Sequence, residues 1–449
     1  MICWVLFGAA VSLVASTQPG TGFFEPWLQE LWKQPRAQAL DLRIAKGLGS
    51  KGYGKVRISV VAPQLMEISD FNFSYKQQFR YRWTENFLHS ALVDAKPGKN
   101  MFTIAGQPVQ VDLPAENQGI RAVLWSDPCF SSKWITCAYA EKFQTFPRSV
   151  AMLNAVYKDP SMDMFAILGD NFYDQTGELA KTIFDQLSPE VKRRFLLVVN
   201  GNHDNWVCGG PNCGDSNDNF GIGQMQYYTA DPIASRLGNT DFLDFSIDPD
   251  QRKAWKTFQN KGSNFLVYHK LGNIGFLAFS GAAGFAEMKP YFEEACDYFV
   301  QTQPATVFLL GHWNSGGMGC QLGMSVPAVR AELLSLTQCQ SLGNRLKYMD
   351  GHEHCNYVQA NTSEPVGFMI GAHGMDDGAC KAQYGFLYLD SSNNRVRLYY
   401  FEVASETSDQ YDDLIACVLK GGLSSCTNMA RSTWLDIPVN QIESTYVVG

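Results

Sequence analysis

Charge is scarce in this 449-residue chain, at 18% of residues, and basic charge is scarcer still: 36 Lys and Arg against 44 Asp and Glu leave a net charge of -8. No broad positive field exists to gather a polyanion, so a long nucleic acid is set aside as a partner on electrostatic grounds. A small anion is not set aside, because a buried pair of metal cations outweighs a diffuse surface charge locally. Repeat periods and long low-complexity tracts are also missing, as is any later apolar run long enough to span a bilayer. At 45% hydrophobic and 13% aromatic residues, the composition excludes disordered and fibrous classes and favours a packed globular protein. Histidine is rare, with seven in all.

The chain opens on MICWVLFGAAVSLVAS, an uncharged apolar run that closes on small residues, with Val14 and Ser16 placed for signal-peptidase cleavage. Residues 1–16 read as a secretory signal, with a short membrane anchor or buried helix as the alternative. Twelve cysteines fit an oxidising compartment, and removing Cys3 with the signal leaves an odd number. Pairs that close short loops are the simplest expectation: Cys208 with Cys213, Cys129 with Cys137, Cys320 with Cys339, and Cys417 with Cys426. Asn72-Phe-Ser and Asn361-Thr-Ser are acceptor tripeptides for N-glycans.

The length exceeds what one core usually serves, so two domains are expected. Within residues 17–119, short β-branched or aromatic segments such as VRISVVAP and FNFSYKQQFRYRW, broken by Pro, Gly and Asn, predict a small β-sandwich-like domain. Over residues 120–403 the pattern changes. RAVLWSD, MFAILGD, RFLLVVNGNHD, ATVFLLGH and LKYMDGHEH are apolar strands that each run into a polar turn, with helix-spaced apolar residues between them. NFLVYHKLGNIGFLAFSG, YGFLYLD and RVRLYYFEV add strands without intervening helices, so the sheets should be mixed. The expected fold class is α/β, two packed mixed sheets flanked by helices, with the small β-rich domain before it and residues 404–449 as an extension over the surface.

Asp127, Asp170, Asn202, His312, His352 and His354 all stand at the C-terminal end of one of these five strands, the edge where side chains from several segments meet in one crevice. Four of the seven histidines, His203, His312, His352 and His354, fall in these turns, a concentration that core packing does not produce. Imidazole nitrogen with carboxylate oxygen suits Zn, Fe and Mn. Two such ions roughly 3.5 to 4 Å apart would hold a hydroxide between them and clamp both oxygens of an in-line displacement at phosphorus. His89 and His269 lie in ordinary strand contexts and read as surface or packing residues. His373, in GAHGMDDG, reads equally as a contact behind the ligands or as a plain turn.

GDNFYD, GNHD, GHWN and GHEH, in that order after VLWSD, resemble the motifs of the calcineurin-like metallophosphoesterases. The Tyr three residues after the Asp of GDNFY is similar to that of the purple acid phosphatase branch. The resemblance covers roughly residues 121 to 390. It implies that Asp127, Tyr173 and His354 bind one metal, ferric iron, and that Asp170 bridges to a second, Zn, Fe or Mn(II), completed by Asn202, His312 and His352. It implies too that His203 sits beside the leaving group as general acid or transition-state stabiliser, with Asp204 orienting it. One departure stands out: Asp127-Pro128-Cys129, where that branch has Gly at the third place. Cys129 is either a thiolate ligand or half of a disulfide with Cys137. The loop NWVCGGPNCGD after the third motif is expected to shape the pocket mouth. The implied activity is a secreted hydrolase of small phosphate monoesters using a metal-bridging hydroxide. A phosphodiesterase on the same core, or a non-catalytic secreted binding protein, is the alternative.

Overall fold

Strands β7 (Arg121–Trp125), β8 (Met164–Leu168) and β9 (Phe195–Val199) are short, apolar throughout and buried along their whole length or nearly so, as strands covered on both faces must be. They pair in parallel, Ala122 opposite Met164 and Met164 opposite Phe195. The computed structural model describes residues 40–439 apart from 68–75, 82–85, 131–134, 138–139, 175–176, 205–227, 237–260, 316–323, 360–363, 375–379, 381–382, 405–406 and 408. The expected signal, both glycan acceptors, the Cys208 and Cys213 pair and the NWVCGGPNCGD loop lie outside the described residues.

The preceding strands are β1 (Asp41–Lys46), β2 (Lys55–Ala62), β3 (Lys76–Tyr81), β4 (Asn86–Asp94), β5 (Gly98–Ile104) and β6 (Gln107–Leu113). They do not close into a sandwich of their own. β1 pairs in parallel with β9, and β2, β4 and β3 continue outward from it in the same sheet. Only β5 and β6 stand apart, as a two-stranded hairpin. The reason is packing: Ile44, Val56, Ile58 and Val60 are buried in the same core cluster as Leu124 and Ala166. Residues Gln38–Gly449 form one compact unit.

The second sheet is built from β10 (Leu266–Leu271), β11 (Ile274–Phe279), β12 (Thr306–Trp313), β13 (Leu346–Gly351), β14 (Asn356–Val358) and β15 (Gly367–Ile370). Its order is β10-β11-β12-β13-β15-β14, with the inner pairs parallel and both outer pairs antiparallel. The period-two alternation of each strand divides its residues between two cores. Phe276, Phe308 and Met349 face the first sheet, while Leu277, Leu309 and Tyr348 pack beneath the helices Phe285–Thr302 and Val326–Ser335. The first helix buries Met288, Phe292, Ala295 and Phe299 at helical spacing. The second is started by Ser325, whose hydroxyl accepts the Ala328 N–H at 3.3 Å, and by a proline in its first turn.

β16 (Gln383–Asp390), β17 (Arg395–Ala404) and β18 (Ser432–Pro438) complete a ten-stranded mixed sheet, β18-β17-β16-β7-β8-β9-β1-β2-β4-β3. Ser432–Pro438 thus forms an edge strand, and the helix Asp409–Gly421 packs on the helix Thr145–Val156. A buried bidentate pair fixes those two helices: Arg148 Nε and Nη2 each donate to Asp412 at 2.9 Å. Two packed mixed sheets flanked by helices is the architecture expected from the strand grammar.

Among the described residues four disulfides form: Cys129–Cys137, Cys296–Cys339, Cys355–Cys380 and Cys417–Cys426. Cys339 was expected to pair with Cys320, which lies outside the described residues, and pairs with Cys296 instead. The helix Phe285–Thr302 brings Cys296 to Cys339 at a Cα separation of 5.0 Å, in the same buried cluster as Phe292 and Leu333. No helix among the described residues is long and apolar enough to cross a membrane.

Candidate metal centre

β7, β8 and β9 of one sheet and β12 and β13 of the other end at a common edge, and β7, β8 and β13 hand over to turns that a regular strand could not make. Asp127, Asp170, Tyr173 and His352 all adopt positive φ, between 50° and 71°. Each such non-glycine residue costs on the order of 1–3 kcal/mol and persists only where its surroundings over-determine it, which is typical of functional sites. The result is that all seven residues expected to hold metal are brought together.

They meet as two groups. In one, the Asn202 amide oxygen faces His312 Nε2 and His352 Nδ1, both at 3.1 Å, and His312 Nε2 is 3.4 Å from Asp170 Oδ1. In the other, the Tyr173 hydroxyl lies 3.2 Å from Asp127 Oδ1 and 3.1 Å from His354 Nε2, with His354 Nε2 3.6 Å from the same carboxylate oxygen. Asp127 and Asp170 join them, since His312 Nε2 is also 3.9 Å from Asp127 Oδ1. Asp127, Asp170 and His312 are fully buried, whereas His352 and His354 are half-buried, so the centre opens on one side.

The donor set fits a cation. His312 Nδ1 is 2.9 Å from the Leu168 carbonyl oxygen, which can only accept, so Nδ1 carries the proton, and as a metal ligand the neutral ring would turn its Nε2 lone pair toward two further acceptors. Acceptors facing acceptors in a buried place need a positive charge between them. One ligand atom each from Asp170, His312 and His352 lies within 4.8 Å of the others. Protons alone must otherwise supply that charge. Burial would push the His312 imidazole down, yet Asp170 and Asp127 reverse this and raise it to about 10. Burial, reinforced by Asp127, holds the Tyr173 hydroxyl well above its ordinary range. Burial pushes His352 down to about 4, which leaves its ring neutral and able to ligate.

Glycine gives the ligands their space. A Cβ on Gly201 would overlap Asp170 Oδ1, and one on Gly351 would overlap Ser126 Oγ and stand 2.6 Å from Asp127 Oδ2. Gly351→Ala is therefore expected to cost ~1–3 kcal/mol of stability and to displace Asp127, lowering metal affinity. Thermal melting and metal content per chain check this, and a variant unchanged in both would contradict the close approach.

Among solved structures, a purple acid phosphatase from yellow lupin (Lupinus luteus) seeds matches with a TM-score of 0.50 at 12% identity, over 82% of this chain and 72% of that one. This chain has the purple acid phosphatase fold. A Vps29 single mutant from Entamoeba histolytica matches with a TM-score of 0.26 at 11% identity, over 63% of this chain and 92% of that one. A conserved predicted phosphoesterase from Streptococcus pneumoniae matches with a TM-score of 0.24 at 8% identity, over 64% and 91%. No family model and no curated protein matches the chain.

Within this purple acid phosphatase fold, His203 gives its backbone N–H to Asp170 Oδ1 at 2.9 Å and sets its half-buried ring 5.1 Å from that of Tyr173. Asp204 was expected to orient that ring. Its carboxylate instead accepts the N–H groups of Gly201 and Asn171 at 2.6 and 2.7 Å and the Asn171 side-chain amide at 2.8 Å. Asp204 thus clamps the GNHD turn to the GDNFY turn, and burial next to Asp170 pushes its carboxyl up to about 7. Two residues the motifs did not announce share in this work. Asn171 ties the turn back to the Val199 carbonyl at 2.8 Å, and Ser126 Oγ lies 2.7 Å from Asp127 Oδ2. An Asn between two ligand residues and a Ser preceding one were the available signals.

Cys129 is covalently bonded to Cys137, with Cα atoms 5.6 Å apart, so of its two readings the disulfide holds. His373 is buried, with Nε2 2.8 Å from Ser149 Oγ, Nδ1 2.6 Å from the Gly385 carbonyl oxygen and its ring against Trp125. It pairs with Tyr384 in an isolated antiparallel bridge. His89 and His269 are buried in strands, as packing residues are.

Proposed function

We propose that this chain is a secreted two-metal phosphoesterase acting on small phosphate monoesters. The observation that carries this reading is the convergence of Asp127, Asp170, Tyr173, Asn202, His312, His352 and His354 at one edge of two sheets. Asp127, Tyr173 and His354 would hold one ion, and Asn202, His312 and His352 the other, with Asp170 between them; ferric iron beside Zn, Fe or Mn(II) suits these donors. Bound there, the pair supplies positive charge to the phosphoryl oxygens and lowers the pKa of water.

The protein's own part is to hold, orient and protonate. Asp204 and Asn171 fix the two turns that carry Asp170 and Asn202. His203, half-buried beside Tyr173, would hand a proton from its ring to the leaving oxygen. His203→Ala is expected to lower kcat about 10²- to 10⁴-fold with metal content retained. The loss should be larger for an alkyl phosphate than for p-nitrophenyl phosphate, whose leaving group needs less help. Equal losses on the two substrates would remove the acid role.

Secretion is supported by the apolar first sixteen residues and the four disulfides. Parallel assays of p-nitrophenyl phosphate and its bis(p-nitrophenyl) diester, with the fully metallated chain, test the function. Faster monoester turnover is expected, faster diester turnover would make the chain a phosphodiesterase, and no product from either would defeat the enzyme reading.

A further inference from the structure

The two ligand groups differ in what holds them. Cys129 stands two residues beyond Asp127 and is bonded to Cys137, and Tyr173 packs in one buried cluster with Cys129, Cys137 and Ala140. Cys355 follows His354 directly and is bonded to Cys380. Backbone bonds carry this grip into the turns: the Cys129 N–H donates to the His373 carbonyl at 3.2 Å and the Gly371 N–H to the Cys355 carbonyl at 2.8 Å. Asp127, Tyr173 and His354 thus each adjoin a disulfide. Asp170, Asn202 and His312 do not, and they are set by strand ends, by the Leu168 carbonyl against His312 and by the Asp204 clamp; His352, three residues before Cys355, gives its N–H to Asp127 Oδ2 at 3.0 Å and has its ring 3.1 Å from the Asn202 amide oxygen.

We propose that the Cys129–Cys137 and Cys355–Cys380 disulfides make one of the two metal positions redox-conditional. With both intact, the chain retains two ions. With both reduced, the Asp127, Tyr173 and His354 position is lost while the Asp170, Asn202, His312 and His352 position stays filled. This rests on the two-metal reading above. The physical cause is the position of the staples: cutting them frees the chain just after Asp127, beside Tyr173 and directly after His354. Attack begins at Cys380, which is partly exposed, whereas Cys129 and Cys355 are fully buried. A dithiol thiolate adds to the Cys380 sulfur, the Cys355 thiolate leaves and takes a proton, and the second thiol closes the reductant into its own disulfide. Cys129–Cys137 is cut in the same way by a second dithiol, and at each bond the protein gains two electrons and two protons that one dithiol loses.

The test uses the full chain loaded with metal and then freed of excess. Cys129→Ala/Cys137→Ala and Cys355→Ala/Cys380→Ala, combined, imitate full reduction without a chelating thiol, and Cys417→Ala/Cys426→Ala removes a disulfide near none of the ligands. Elemental analysis gives ions per chain, circular dichroism reports the fold, and the absorption of a tyrosine bound to metal reports Tyr173. The combined variant should hold one ion instead of two and lose the tyrosine absorption, and the control variant should match the parent. The parent treated with dithiothreitol, its thiols counted by alkylation, should lose the same ion while still folded, which covers a combined variant that does not fold. Retention of both ions after both bonds are cut, loss of both together, or the same loss in the control would each overturn the proposal. A parent that holds no ion even when oxidised would instead defeat the two-metal reading.

Discussion

Asp170→Asn is expected to lower kcat/KM on a phosphate monoester about 10³-fold or more and to release metal, with the chain still folded. Asparagine is the informative replacement because it keeps the shape and tolerates the left-handed backbone, φ 50°, that Asp170 adopts. What it removes is charge. Burial alone would raise the Asp170 carboxyl, but His312 and His203 outweigh it and hold the group well below the usual carboxylate range. The residue is thus an anion in the folded chain, buried, and aimed at the point where the two ligand groups meet. An amide oxygen cannot take two cations as a carboxylate can. Losing ~4 kcal/mol of charge stabilisation corresponds to the stated factor at 1.36 kcal/mol per tenfold. Metal content and steady-state kinetics are the measurements. A variant with both ions and parental kcat/KM would show that Asp170 does not join the sites.

Most of the candidate set was legible because Asp170, Asn202, His312 and His352 stand where an apolar run stops at Gly-Asp, Gly-Asn-His or Gly-His, whereas Asp127 follows Ser126 and Tyr173 was read mainly from the resemblance. Strand ends are coded within a few residues, and burial of β7, β8, β9, β12 and β13 forces those ends to one edge. Partner choice is a different matter. Nothing in the alternation of VRISVVAP says which strand it will lie beside, so the joining of β1 to β9 depends on the shared core of Ile44 and Val56 with Leu124. Cysteine pairing failed where the nearest partner in sequence was not the nearest in space. Cys296 and Cys339 are 43 residues apart and meet because both lie in the core beneath the helices of the second sheet. Asp204 misled for the same reason: adjacency to His203 suggested contact, but the turn sends its carboxylate back to Gly201 and Asn171.

Asp231→Ala is expected to destabilise the fold by ~3–5 kcal/mol, the cost of leaving a buried charge unpaired. Asp231 is fully buried and accepts from Arg57 Nη2 at 2.6 Å, Lys51 Nζ at 3.0 Å and the Leu48 N–H at 2.7 Å, so one carboxylate fastens β2 and the connection before it. The Arg57 side chain is 2% exposed and has no water to replace what is lost. Exposure decides the scale. Asp436, with Arg395 and Arg397, makes an equally close cluster but is 45% exposed, and Asp436→Ala should cost only ~0–1 kcal/mol. The pH dependence has a definite sign. Burial would raise the Asp231 carboxyl, yet Arg57 and Lys51 prevail and hold it far below the usual range. Its contribution is therefore complete above its unfolded pKa of about 3.9 and is lost as pH falls through the lower folded value. Urea unfolding of parent and Asp231→Asn should then differ most above about pH 4 and converge as the solution is acidified further. Because its hydrogen-bond partners are Leu48, Lys51 and Arg57, the folded fraction of the variant should keep its metal. A gap between the two curves that widens toward acid would show that Asp231 is not the stabilising anion described.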